Sequence, residues 1–180
     1  MGKICGIIDF SSARTDFEAL VSLWRPIAPL CRGYSYIRGG VGMVCQRNRG
    51  MNVTRSAPSS TTKRHNCTVM LVSPSSFHML ASDILTIYER EGLSALKNTE
   101  YDTGFILVDE KEKLVAIFTR DIPIYCAKAE KKLVFSSSCE SLCTFLSEHL
   151  TELCIRPSKI SQNGTALFCD IINEQQKTAT

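Results

Sequence analysis

The chain has 180 residues, 44% hydrophobic and 22% charged, which suffices for one domain with a substantial core and is short for two. No apolar run reaches the ~18 residues a membrane span requires, and the opening residues contain no adequate signal-peptide core, so a soluble, cytoplasmic protein is expected. The net charge of +3 is uneven: no Asp or Glu lies between Glu18 and Asp83, where Arg25, Arg32, Arg38, Arg47, Arg49, Arg55, Lys63 and Arg64 stand, leaving the remainder at −5.

Lys3-Ile4-Cys5-Gly6-Ile7-Ile8-Asp9-Phe10 opens the chain as a β-branched, buried strand with a thiol near its head. Thr15 or Asp16 can cap a helix carrying Phe17, Leu20, Val21 and Trp24 on one face, closed by Pro26 and Pro29. The Gly39-Gly40 pair reads as a hairpin turn into a strand over Val41–Cys45; it lacks the lysine and the following helix of a phosphate-binding loop. Residues 46–66 are polar and read as a mobile loop. Cys67–Val72 is a buried strand, followed by a helix that starts near Ser73–Ser76, bears Phe77, Leu80, Ile84, Ile87 and Tyr88, and is broken by Gly92.

Two hairpins come next, Phe105–Asp109 with Lys113–Thr119 and Ile124–Cys126 with Leu133–Phe135, each across a charged turn. A short helix over Glu140–Leu150 and a strand over Thr165–Asp170 complete the domain, 1–172, and 173–180 read as a disordered tail. Hairpins with few helices predict an α+β fold of mainly antiparallel sheets.

The nine cysteines are odd in number and lie mostly in or beside apolar runs, which suits reduced core thiols better than a disulfide framework. Cys139 and Cys143 are four apart, with no further Cys or His at zinc spacing, so neither a metal nor another cofactor is expected. The basic third could face a carboxylate, a nucleic acid or an acidic partner. No aromatic-basic motif accompanies it, so nucleic acid is not the expected partner.

Four segments together resemble the class II glutamine amidotransferase domain, an N-terminal-nucleophile (Ntn) hydrolase, in its asparagine-synthetase-like branch. They are Cys5-Gly6-Ile7; Cys31-Arg32-Gly33; Tyr88–Gly92 leading to Tyr101–Asp109; and Arg120-Asp121, Pro123, Tyr125 and Leu133–Ser137. The resemblance implies a four-layer αββα sandwich and hydrolysis of glutamine to ammonia, with Cys5 as nucleophile and its own α-amine as base. It puts Arg47 at the place of the arginine that holds the substrate carboxylate, and Asp83, with a short gap, at that of the carboxylate that holds its ammonium.

The chain departs from the family pattern in two places. Cys5 follows Ile4, so its nitrogen is an amide unless residues 1–4 are removed. The oxyanion Asn-Gly falls on Ser73-Pro74, and proline has no N–H to donate; losing a single such donor typically costs ~10²–10³ in turnover. Two functions follow from the resemblance. One is a glutaminase active after cleavage, delivering ammonia to a separate synthetase. The other is a catalytically inactive, degenerate amidotransferase-like domain that binds glutamine or a related amino acid, or regulates such a synthetase.

Overall fold

The computed structural model of the chain describes residues 3–27, 33–46, 67–71, 81–98, 104–119, 123–129, 131–149, 157–160 and 165–169. Of the expected loop over 46–66, only Gln46 falls among them, and it ends a strand; the expected tail over 173–180 lies outside the described residues. The elements run β1 Ile4–Asp9, α1 Phe17–Trp24, β2 Gly33–Arg38, β3 Val41–Gln46, β4 Cys67–Leu71, α2 Ala81–Asn98, β5 Phe105–Asp109, β6 Leu114–Phe118, β7 Ile124–Ala129, β8 Lys132–Ser136, α3 Cys139–His149, β9 Ser158–Ile160 and β10 Thr165–Cys169.

Two sheets form, ordered β2-β3-β1-β8-β7-β9 and β10-β6-β5-β4. Neighbouring strands run antiparallel in both. Side-chain alternation divides the apolar residues into three layers. Ile4, Ile8, Val41, Met43, Leu133 and Phe135 of the larger sheet meet Met70, Ile106, Val108, Val115 and Ile117 of the smaller one. The opposite face of the larger sheet, with Cys5, Ile7, Val44 and Val134, packs on Leu20 and Leu23 of α1 and on Leu142, Phe145 and Leu146 of α3. The opposite face of the smaller sheet, with Val69, Phe105 and Leu107, packs on Ile84, Leu85 and Leu96 of α2. The result is the expected αββα sandwich.

Strand β5 is buried on both faces, which is why Phe105-Ile106-Leu107-Val108 is a continuous apolar run and not an alternating one. Its first residue pairs with Phe118 in β6, the rings stacked with centroids 4.4 Å apart, an arrangement worth about 0.5–1.5 kcal/mol beyond burial.

Asp16 caps α1 by accepting from the Ala19 amide at 3.0 Å, as expected, and of the expected face Leu20 is buried and Trp24 packs, half-buried, on the same cluster, but Ala19 and Leu23 take the place of Phe17. Phe17 is 60% exposed. Gly42 accounts for the difference: a Cβ there would stand 2.4 Å from Thr15 Cγ2 and 3.0 Å from Leu20 Cδ2, so β3 without one lets the helix settle on Leu20. Gly92 breaks α2 as expected, with φ 77° and ψ −172°. Strand β9, unforeseen in the sequence, adds three residues at the free edge of β7.

Candidate functional site

Strand β1 lies inside the larger sheet, held by β3 on one side and β8 on the other, with Cys5 opposite Val44 and Ser136. Gly6 is required here by packing: a Cβ would lie 2.4 Å from the Phe135 ring and 2.8 Å from the Gly42 carbonyl oxygen. The adjacent Cys5 therefore takes the other face, where it is fully buried among the side chains of α1 and α3. Burial first, and then the neighbouring Cys45 thiol, push the Cys5 thiol far above its ordinary range. At neutral pH it is a protonated core thiol.

The segment preceding Cys5 is tied down. The Ile4 amide donates to Ser137 Oγ at 3.1 Å, and the Ser137 amide donates to the Ile4 carbonyl at 2.9 Å. Lys3, on the same strand face as Cys5, donates from Nζ to the Ile27 carbonyl just beyond α1.

The serines after β8 divide the remaining work. Ser136 Oγ accepts from the Ser138 amide at 3.0 Å, and Ser138 Oγ accepts from the Ser141 amide at 3.2 Å in the first turn of α3. Ser141 Oγ donates to the Leu23 carbonyl at 2.8 Å, binding α3 to α1. The sequence marked Ser136 and Ser137 by resemblance; the grip of Ser137 on β1 had no signal in spacing or composition.

Asp83 is an exposed residue in the first turn of α2. That helix covers the smaller sheet, whereas the Cys5 thiol lies beneath α1 and α3 on the larger one, so both sheets stand between the elements that carry the two side chains. The structure does not bring Cys5 and Asp83 together. Arg47, Ser73 and Pro74 lie outside the described residues. Among the described residues, no three His, Cys, Asp or Glu side chains gather as metal ligands, and no helix is long and apolar enough to cross a membrane.

Asp109, reached by resemblance as the end of a strand, is 2% exposed and organises its own corner. Its Oδ1 accepts from the amides of Lys111 and Glu112 at 2.9 and 3.0 Å, and its Oδ2 accepts from Tyr88 Oη at 2.9 Å. Burial first, then this hydrogen bond, push the Tyr88 phenol above its ordinary range.

No protein-family model matches the sequence, and no curated protein matches it significantly. Among solved structures, the glutamine phosphoribosylpyrophosphate amidotransferase of B. subtilis, complexed with ADP and GMP, superposes with a TM-score of 0.53 at 9% identity, over 95% of this chain and 50% of that one. A second structure, described as the allosteric regulatory enzyme of purine biosynthesis, gives 0.49 at 10% identity, over 95% and 49%. The chain thus spans about half the length of each. At such identity the likeness is one of fold: the chain shares its α+β arrangement of two antiparallel sheets with the B. subtilis amidotransferase structure.

Proposed function

We propose that this chain, with residues 1–4 attached, is a non-catalytic glutamine-amidotransferase-like domain that binds glutamine or a related amino acid and serves a separate synthetase as partner or regulator. The observation that carries this reading is the state of Cys5. The thiol is fully buried and faces the helices, and its nitrogen is an amide inside a strand paired on both sides. A nucleophile of this class needs an accessible thiolate and a free base beside it. Both are missing. The altered Ser73-Pro74 at the oxyanion position supports the same reading from the sequence.

A second reading is favoured by one specific observation: Cys5 is the second residue of β1, and Lys3 shares its face. Cleavage before Cys5 would remove Ile4 alone from the strand, free an α-amine and take Lys3 away from the thiol. Arg47 would then hold the substrate carboxylate, its ammonium would need a partner other than Asp83, and the ammonia released would pass to a separate acceptor.

The test is ammonia release from glutamine by the intact chain and by Cys5→Ala, with glutamine binding followed by calorimetry. The expected result is measurable binding and no release above that of Cys5→Ala. Release by the intact chain that Cys5→Ala abolishes overturns the proposal. Release only from a chain beginning at Cys5 establishes the second reading for that form.

A further inference from the structure

Cysteine is among the most buried residue types, and an exposed one is explained by its reactivity more often than by packing. Helix α3 carries two exposed cysteines, Cys139 and Cys143, four apart and therefore on one face, one turn above the other. Leu142, Phe145 and Leu146 occupy the buried face of the same helix, so neither thiol contributes to the core. The two thiols are close enough to interact: after burial, Cys143 is what raises the Cys139 thiol above its ordinary range. The helix starts at Cys139, behind the Ser138 cap, which places Cys139 in the first turn and Cys143 directly above it in the second.

We propose that Cys139 and Cys143 form a two-thiolate chelate for a thiophilic d¹⁰ monovalent cation of the Cu(I) class.

The chemistry selects this ligand over two alternatives. Zinc requires four ligands, and among the described residues no third Cys, His, Asp or Glu joins the pair. A disulfide needs Cβ atoms about 3.5–4.5 Å apart, whereas positions four apart in a helix hold them at about 5–6 Å, so oxidation would have to unwind the first turn. A soft cation inserted between two sulfurs spans that separation with the helix intact, and thiolate ligands select Cu(I) over harder ions. The exchange balances without a redox step: each thiol loses its proton to solvent, two S–Cu bonds form, and the complex carries one negative charge. The cation also removes the repulsion between two neighbouring thiolates, and the exposed Glu140 beside Cys139 adds negative charge to the same turn.

The reduced full chain is titrated anaerobically with Cu(I) against a chromophoric competitor, and stoichiometry is read by native mass spectrometry. The wild-type chain is expected to take one tightly held Cu(I) that Cys139→Ser and Cys143→Ser each weaken by about a hundredfold or more, since two thiolates on one helix act as a bivalent ligand. Both side chains are exposed, and circular dichroism verifies that each variant is folded. Cys143→Ser/Thr144→Cys keeps the thiol count and moves the second sulfur off the shared face; it is expected to lose the tight site as well. Retention of the tight equivalent in Cys143→Ser, or in the shifted double variant, overturns the proposal and assigns the copper to other thiols.

Discussion

At the scale of single residues, Cys5 shows how one side chain can satisfy a motif while its environment gives it another task. It is buried in an apolar cluster with Leu20, Leu23, Val134 and Phe145, and the Cys45 thiol beside it is only a weak hydrogen-bond partner. Cys5→Ser, the conservative exchange at a nucleophile, would therefore strand a buried hydroxyl. The expected cost is about 1–3 kcal/mol, larger than that of Cys5→Ala, measured by urea unfolding. A Cys5→Ser chain as stable as the wild type would show that the thiol is wet. The motif was legible in the sequence because Cys-Gly-Ile is local. The face on which the thiol lies was not, because it is set by Phe135 and Gly42, far away in the chain, whose close approach claims the position of Gly6.

At the scale of elements, the β5–β6 hairpin depends on one carboxylate. Asp109 closes the turn through the Lys111 and Glu112 amides and joins it to α2 through Tyr88. Asp109→Ala would leave two amide donors and a half-buried phenol without their acceptor, at an expected cost of about 2–4 kcal/mol, whereas Asp109→Asn keeps an acceptor for the turn and should cost less. Chemical denaturation of the two variants checks the order; equal losses would mean that the charge, and not the acceptor geometry, holds the corner. The hairpin itself was readable from its apolar runs and charged turn, and so was the break at Gly92. The buried face of α1 departs from the expected one at Phe17, which outweighs Ala19 in hydrophobicity while Ala19 permits the closer approach. Strand β9 escaped because its pattern is Ser-Lys-Ile, two exposed residues and one buried, and only the free edge of β7 makes it a strand.

At the scale of the whole molecule, the α+β class with mainly antiparallel sheets followed from the order of hairpins and helices and the layered sandwich from the resemblance, but the distribution of the cysteines across its layers followed from neither. Cys5 lies under α1 and α3, Cys126 between the sheets and Cys67 beneath α2, so a buried thiol sits in each apolar layer. Burial is the leading cause that raises all three; it pushes the Cys126 thiol from its ordinary 9.0 to about 11, and Cys5 and Cys67 rise further, Cys67 with help from the Asp109 carboxylate. A raised thiol value in the folded state means that the native chain keeps a proton the unfolded chain releases. The contribution is fully present below the unfolded value, and stability falls as pH climbs from there through the folded value. The window for Cys126 accordingly runs from 9.0 to about 11. Thermal unfolding under anaerobic, reducing conditions is expected to show a nearly level Tm from neutral pH to about pH 9 and a steep decline above it. Cys126→Ala lowers the level at neutral pH through its cavity but removes one titrating thiol, so its decline should be shallower than that of the wild type. Parallel declines in the two chains would show that Cys126 ionises alike in the folded and unfolded states, and that the interior between the sheets admits a thiolate.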